Sequence, residues 1–122
     1  LIGFFTKYGD GGVDISPIAD LLKSEVYELS KFLKILDSII TAKPCDGLWG
    51  DNRGDEEQIG ASYDELEWAL KFVDSKESKH GKPLDLSDRN RKVFHIYMQR
   101  HLSNGHKLKT PPVCMIPNDM KF

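Results

Sequence analysis

The sequence predicts a mostly helical segment that begins with one short strand and ends in an extended arm, and three observations predict it. An apolar, aromatic run over residues 2–8 stops at three glycines within residues 9–12. A buried strand that feeds a tight loop has this pattern. Apolar residues then recur at helical spacing in three stretches. Residues 103–122 contain three prolines and no such period.

Composition and charge describe an ordinary globular protein. The 122 residues include 17 basic and 19 acidic side chains, for a formal net charge of −2, and 39% of the residues are hydrophobic. At roughly 100–200 residues per domain, this is one domain or part of one. The balanced charge argues against a nucleic-acid partner, and the apolar runs are too short for a membrane span. Cys45 and Cys114 lie far apart and match no metal or redox motif, so we expect free thiols and a cytoplasmic location.

The first helix is predicted to start at Ser16, which can cap it, with Pro17 at its first position. Its apolar stripe is expected to pack on a core. The stripe comprises Ile18, Leu21, Leu22, Val26, Leu29 and Leu33. A short helical turn is expected over Leu36–Thr41, before Lys43 and Pro44.

Two further helices are predicted beyond a loop over residues 44–61, whose glycines, acids and lone tryptophan show no period. Because so long a loop in a compact domain is usually functional or disordered, we expect a functional one. Ser62 and Glu65 form a capping box for the second helix, with Leu66, Ala69, Leu70 and Val73 inward and Trp68 and Phe72 beside them. After a charged linker over residues 75–86, Ser87 caps the third helix. Its apolar set is Val93, Phe94, Ile96, Tyr97 and Leu102, and Val113, Met115 and Ile116 are expected to pin the arm.

Six blocks, in order and spanning nearly the whole chain, resemble the ammonia-dependent NAD synthetases. They are Gly3–Asp14, Pro17–Lys23, Lys43–Trp49, Asp55–Gly60, Ser62–Leu66 and His106–Lys107. The resemblance implies an α/β fold, of which this chain is the C-terminal part: a Rossmann-like adenine-nucleotide α-hydrolase fold. Its expected divisions are a strand and substrate loop (1–15), helices (16–41), a substrate lid (44–61), two helices (62–102) and an arm (103–122).

The resemblance also implies an activity. The family adenylates deamido-NAD with ATP, releases pyrophosphate, and lets ammonia displace AMP to give NAD; the enzymes are homodimers that use Mg²⁺. The family's S-G-G-x-D-S phosphate loop does not occur in this sequence. A family magnesium-binding glutamate would fall just before Leu1, so no metal ligand is expected here. We therefore expect a piece of the enzyme that is inactive alone. The alternatives are the synthetase domain of a glutamine-dependent relative and a non-catalytic dinucleotide-binding or assembly domain.

The resemblance assigns deamido-NAD binding to Lys7, Asp14, His106 and Lys107. A lysine ammonium can pair with the anionic dinucleotide, and a carboxylate can accept hydrogen bonds from ribose hydroxyls. His106 and Lys107 would contact the diphosphate from the arm. Without the resemblance, Lys7 would be interpreted as a solvated lysine at a strand end.

Five further residues receive roles, four of them from the resemblance and the fifth, Asp10, because it lies in the same loop as Asp14. Lys23 would contact ATP phosphates and stabilise charge on the α-phosphate, and Asp10 would position ammonia or take its proton. Cys45 stands where the family commonly has Thr or Ser contacting ATP, and a thiol is a poorer hydrogen-bond donor. Leu48 and Trp49 belong to the lid, which would keep water from the acyl-adenylate.

Overall fold

The computed structural model describes residues 2–9, 12–45, 47, 50, 53–75, 86–110 and 112–121. Five α-helices lie within these ranges and are numbered here in chain order. They are α1 (Lys23–Phe32), α2 (Asp37–Ile40), α3 (Asp55–Ile59), α4 (Tyr63–Asp74) and α5 (Asp88–Ser103). Two 3₁₀ turns follow, at Gly105–Leu108 and Asn118–Met120. The described part of the chain is therefore mostly helical, as predicted.

The predicted short strand is not confirmed, because the described residues of this first segment form no strand pairing. Ile2 is nevertheless buried, and Phe4 packs against the core. Gly3 adopts a φ of +63°, a left-handed conformation that interrupts an extended backbone. The segment is thus an irregular apolar run that the core holds in place.

Helix α1 begins later than the sequence predicts, and the start at Ser16 is wrong. Residues 16–21 form turns, closed by backbone hydrogen bonds from Ala19 to Ser16 and from Leu21 to Ile18. Lys23 is the first helical residue. We attribute the later start of α1 to Glu25 in its first turn. The carboxylate of Glu25 accepts a hydrogen bond from the backbone N–H of Leu22, the residue just before the helix, at 2.6 Å.

The apolar stripe of this region does not pack on a core, contrary to prediction. Helix α1 contains no buried residue among those described. Ile18 is 51% exposed, Leu33 58% and Phe32 81%. The short helix α2 lies where the sequence predicts it, and it too buries none of its residues.

The predicted lid contains a helix, so the expectation of a loop throughout residues 44–61 is wrong for Asp55–Ile59. Gly54 precedes helix α3 as its N-cap, and the Gly54 N–H donates to the Glu57 carboxylate at 3.0 Å. Gly60 follows the helix as its C-cap and has a φ of +87°. Glycine tolerates this conformation because it has no Cβ. Ile59 is buried and joins α3 to the core.

Helices α4 and α5 pack together and form most of the core. Both predicted caps are confirmed: Ser62 Oγ accepts from the Glu65 N–H at 3.2 Å, and Ser87 Oγ accepts from the Asn90 N–H at 3.1 Å. The Glu65 carboxylate also accepts from the Ser62 N–H at 2.8 Å, which completes the capping box. Local sequence alone therefore sets where these helices begin.

The core is small. Its buried apolar members are Ile2, Ile59, Ala61, Leu66, Ala69, Val93 and Tyr97. Trp68 stacks on Phe72 with centroids 5.5 Å apart, and Phe72 meets Phe94 edge-on at 5.7 Å. The predicted apolar faces of α4 and α5 are confirmed except at Leu102, which is 72% exposed.

Polar contacts hold the arm where apolar ones were predicted. Val113 and Met115 are 78% and 82% exposed, and Ile116 is also exposed, so their predicted pinning role is wrong. Instead, Asn104 Nδ2 donates to the Ile2 carbonyl oxygen at 2.9 Å. Residues 76–85 of the predicted linker lie outside the described residues. No helix in the described ranges has the length and hydropathy needed to cross a membrane.

Candidate functional site

A cleft of about 740 Å³ opens between the first segment, helix α1 and helix α4. Its walls are mostly apolar. Lys23 contributes to its lining as the first residue of α1, and Tyr63 and Glu67 do so from α4. The cleft thus combines an apolar floor with a cation at a helix start, a usual composition for a small-molecule site.

The Lys23 ammonium lies between two aromatic rings. Its Nζ is 5.4 Å from the ring centroid of Tyr27 and 5.5 Å from that of Tyr63. These distances fall within the range of cation–π attraction. The rings restrict where the lysine can reach.

Two hydrogen bonds to helix α3 fix the position of Tyr63. Its hydroxyl donates to Asp55 Oδ2 at 2.9 Å, and its backbone N–H donates to Glu56 Oε1 at 2.8 Å. Burial raises the pKa of the Tyr63 hydroxyl, and the adjacent Asp55 carboxylate raises that pKa further. Tyr63 therefore stays neutral at physiological pH.

Glu67 is a buried charged residue beside Lys23 in space. It is 7% exposed and accepts hydrogen bonds from the Ser24 backbone N–H at 2.9 Å and from Ser24 Oγ at 2.7 Å. The Ser24 N–H is among the first N–H groups of α1, which have no partner within the helix. Glu67 therefore attaches the start of α1 to α4.

A second pocket, of about 450 Å³, adjoins the first through a shared wall at Phe5. Lys7, Lys107 and Lys109 line it, together with Tyr8, Leu108 and Thr110. Three ammonium groups around one pocket create a positive field suited to an anion.

Two of these lysines also join the chain's first segment to its arm. Lys7 Nζ donates to the His106 carbonyl oxygen at 2.6 Å. Lys107 Nζ donates to the carbonyl oxygens of Gly3 at 3.0 Å and Phe5 at 2.9 Å. The structure thus brings together three of the four residues predicted for deamido-NAD binding, Lys7, His106 and Lys107. Lys7 is about a hundred residues from the other two in sequence.

Asp14 and Cys45 line neither pocket, and three more predicted site residues lie outside the described residues. Asp14 is exposed, and Cys45 is exposed with a free thiol. Cys45 follows Pro44, whose carbonyl oxygen accepts from the Asp55 N–H at 3.0 Å. Asp10, Leu48 and Trp49 lie outside the described residues. No group of three or more His, Cys, Asp or Glu suited to a metal occurs within the described ranges.

Sequence reasoning missed Tyr63, Glu67 and Lys109. Tyr63 and Glu67 are four residues apart, so they share one face of α4. A glutamate bordering the apolar stripe of Leu66 and Ala69 is the signal that could have indicated a buried carboxylate with a partner. Lys109 gave no such signal, because it lies in a polar, aperiodic stretch.

Comparisons with known proteins show the family to which the chain belongs. The family model described as NAD synthase matches residues 1–111. The NH(3)-dependent NAD(+) synthetase of Picrophilus torridus is 44% identical over 122 residues, which is 100% of this chain and 45% of that relative. The enzyme of the same name from Methanococcoides burtonii is 40% identical over 116 residues, covering 95% of this chain and 43% of the relative. A third relative of the same name, from Thermoplasma acidophilum, is 41% identical over 111 residues, which cover 91% of this chain and 42% of that relative.

The structure thus places an apolar cleft that contains Lys23 beside a pocket lined by Lys7, Lys107 and Lys109. The chain belongs to the NAD synthase family. It spans less than half the length of the curated relatives described above. The family implies an adenine-nucleotide α-hydrolase-like fold, to which this largely helical segment contributes.

Proposed function

We propose that this chain forms the C-terminal portion of an NH3-dependent NAD synthetase. The complete enzyme adenylates deamido-NAD with ATP and then amidates it with ammonia, giving NAD, AMP and pyrophosphate. The observation that carries the proposal is the pair of adjoining sites, one with Lys23 and one with Lys7, Lys107 and Lys109. The names of the relatives favour ammonia over glutamine as the nitrogen donor.

The two sites match the two anionic substrates. ATP carries a triphosphate and deamido-NAD a diphosphate, and each needs cations where its phosphates lie. Lys7 and Lys107 would meet the dinucleotide, with His106 beside them, while Lys23 would meet ATP. Because Phe5 lines both pockets, the two substrates would lie close enough to react.

In the first step, an oxygen of the deamido-NAD carboxylate attacks the α-phosphorus of ATP. A bond from that oxygen to phosphorus forms, and the bond from the α-phosphorus to the bridging oxygen breaks, releasing pyrophosphate. Negative charge builds up on the oxygens around the α-phosphorus in the transition state. A fixed Lys23 ammonium would stabilise that charge, which is often the largest single contribution of an active site.

In the second step, the nitrogen of ammonia attacks the acyl carbon, and AMP leaves with the bonding electron pair. The nitrogen must lose a proton, and we assign Asp10 to position ammonia or accept that proton. Asp14 would accept hydrogen bonds from the ribose hydroxyls of deamido-NAD. The assignment of Asp14 rests on the sequence resemblance, and that of Asp10 rests on its place in the same loop and on the chemistry of a carboxylate.

The remaining assignments concern ATP contact, the lid and assembly. Cys45 would contact ATP, through its backbone or through its weak thiol donor. Leu48 and Trp49 would cover the substrates and exclude water from the acyl-adenylate. Mg²⁺ would accompany ATP and neutralise phosphate charge; we assign it no ligand in the described ranges. The complete enzyme is proposed to be a homodimer.

A chimera tests the proposal. This chain replaces the matching segment of the Picrophilus torridus relative, with which it is 44% identical. The purified chimera receives ATP, Mg²⁺ and deamido-NAD with either ammonia or glutamine, and NAD is measured by chromatography. In a second arm, this chain is mixed with the separately purified remainder of the relative. The isolated chain serves as the control.

The proposal expects NAD from the chimera with ammonia and none from the isolated chain. Absence of NAD in both the chimera and the mixture would contradict it. Calorimetry with deamido-NAD on an inactive but folded chimera would detect the alternative of a non-catalytic binding domain.

A further inference from the structure

Two side chains of helix α4, one turn apart, contact the first turn of helix α1. Glu67 accepts hydrogen bonds from Ser24, and the ring of Tyr63 lies near the Lys23 ammonium. We infer that Glu67 and Tyr63 are positioning residues that fix the Lys23 ammonium for the α-phosphate of ATP. This inference rests on the proposed function and adds two residues to it. Neither belongs to the set that the sequence resemblance assigned.

Glu67 fixes the backbone that carries Lys23. Its two carboxylate oxygens accept from the Ser24 N–H at 2.9 Å and from Ser24 Oγ at 2.7 Å. A charged residue that is only 7% exposed needs such partners, because burial without them is costly. Ser24 and Glu67 are 43 residues apart in sequence, so their contact orients the start of α1 relative to α4.

Tyr63 fixes the side chain of Lys23. A lysine has many rotamers, and ordering them costs entropy on substrate binding. The rings of Tyr63 and Tyr27, at 5.5 and 5.4 Å from Nζ, restrict that freedom before ATP arrives. Preorganisation of this kind raises the rate because less is lost in reaching the transition state.

The contacts that fix Lys23 extend from Tyr63 to helix α3. The hydroxyl of Tyr63 donates to Asp55 Oδ2, and the Asp55 N–H donates to the Pro44 carbonyl oxygen. Pro44 precedes Cys45, the residue assigned to ATP contact. Tyr63 and Asp55 thus link Lys23 to the segment that carries Cys45.

Glu67→Met is the main test, made in the active chimera. Methionine keeps the length and much of the volume but cannot accept both hydrogen bonds. Glu67→Gln is the conservative rescue, because its amide oxygen accepts from the Ser24 N–H and its NH2 group donates to Ser24 Oγ. Lys71→Met, at an exposed residue of the same helix, is the matched control. Each variant is compared at equal folded fraction, verified by thermal melting.

Glu67→Met is expected to lower kcat/KM for ATP by about 10²-fold, the scale of a small misplacement of a reacting group. The KM for deamido-NAD should stay close to that of the parent chimera. Glu67→Gln and Lys71→Met should retain most activity. Tyr63→Phe keeps the ring and should exceed Tyr63→Leu in kcat/KM for ATP.

A double-mutant cycle distinguishes positioning from general structural support. Lys23→Ala alone should lower pyrophosphate release by about 10²-fold or more. If Glu67 acts through Lys23, adding Glu67→Met to Lys23→Ala should cause no further loss.

Additive losses, or equal losses toward ATP and deamido-NAD, would overturn the positioning role. An inactive parent chimera would instead overturn the proposed function, and this inference with it. The two failures are therefore distinguishable.

Discussion

Gly3 occupies a backbone conformation that other residues rarely adopt, at a place where two distant parts of the chain touch. Its φ is +63°, and a Cβ there would overlap the Cβ of Asn104. Asn104 is the residue whose amide donates to the Ile2 carbonyl oxygen. A side chain at position 3 would therefore strain the backbone and displace this contact together.

Gly3→Ala is expected to lower the free energy of unfolding by about 1–3 kcal/mol, the cost of a strained backbone conformation. Gly105→Ala is the matched control, because a Cβ there meets nothing within 4 Å and its φ is not positive. Urea unfolding followed by circular dichroism measures both. Equal unfolding midpoints for the two variants would contradict the assignment of strain to position 3.

Val93 and Val113 provide a matched pair for the core. Val93 is fully buried, whereas Val113 is 78% exposed. Val93→Ala removes two buried carbon groups and leaves a cavity, so we expect a loss of about 2 kcal/mol in the free energy of unfolding. Val113→Ala should change it by less than about 0.5 kcal/mol. A loss at Val113 as large as that at Val93 would mean that the arm packs more firmly than the structure shows.

At the scale of elements, Glu65 and Arg89 join the first turns of α4 and α5. Arg89 Nε and Nη2 each donate to the Glu65 carboxylate at 2.6 Å. Arg89, through these hydrogen bonds and its charge, and the hydrogen bonds from Ser62 together lower the pKa of Glu65 from 4.5 to about 2, while burial acts in the opposite direction. A lowered folded-state pKa stabilises the protein fully above the unfolded value of 4.5, and that stabilisation is lost as the pH falls toward 2.

Arg89→Ala should therefore destabilise the protein at pH 7, and the difference from the parent should shrink as the pH falls from 4.5 to 2. Urea unfolding at several pH values measures the difference. Arg91→Ala is the control, because its partner Asp88 is fully exposed and the pair is 3.6 Å apart. A difference for Arg89→Ala that does not change with pH would contradict the role of the Glu65 charge.

Local chemistry explains which elements the sequence predicts. The starts of α4 and α5 follow from Ser62 and Ser87, because a cap involves residues only three apart. The predicted start of α1 was wrong because the sequence contains two competing capping signals. One is Ser16 followed by Pro17 and the other is Glu25, and the structure uses Glu25. The predicted packing of Leu33 and Ile18 was wrong because amphipathic spacing shows an apolar face but not whether a partner covers it.

The candidate site shows a similar division. Sequence motifs indicated Lys7, Lys23, His106 and Lys107 individually. The approach of Tyr63 to Lys23 across 40 residues depends on how α1 packs on α4, which no local pattern carries. The assignments of Asp10, Leu48 and Trp49 stay predictions from sequence.

At the scale of the molecule, many apolar side chains of α1, α2 and the arm are exposed. Phe32, Met115 and Val113 are each at least 78% exposed. Isolated exposed apolar residues are ordinary, but a contiguous surface usually meets a partner. Under the proposed function, the portion of the relatives that this chain does not match would cover some of these side chains.

The isolated chain should therefore enhance the fluorescence of the apolar dye ANS several-fold more than the chimera does at equal concentration. Dye binding reports accessible apolar surface directly. The parent Picrophilus torridus relative serves as the reference for a fully covered surface. Equal enhancement by the isolated chain and the chimera would mean that the remainder of the enzyme covers none of this surface.

The polar bonds between the first segment and the arm also have a kinetic consequence. Asn104 and Lys107 reach carbonyl oxygens of residues 2, 3 and 5, about a hundred positions away. Contacts between α4 and α5 close much shorter loops, and so can form earlier in folding. The first segment should dock last and detach first, as a separate unit of local unfolding. Amide exchange of residues 2–5 should then be faster than that of α4, although the side chain of Ile2 is buried.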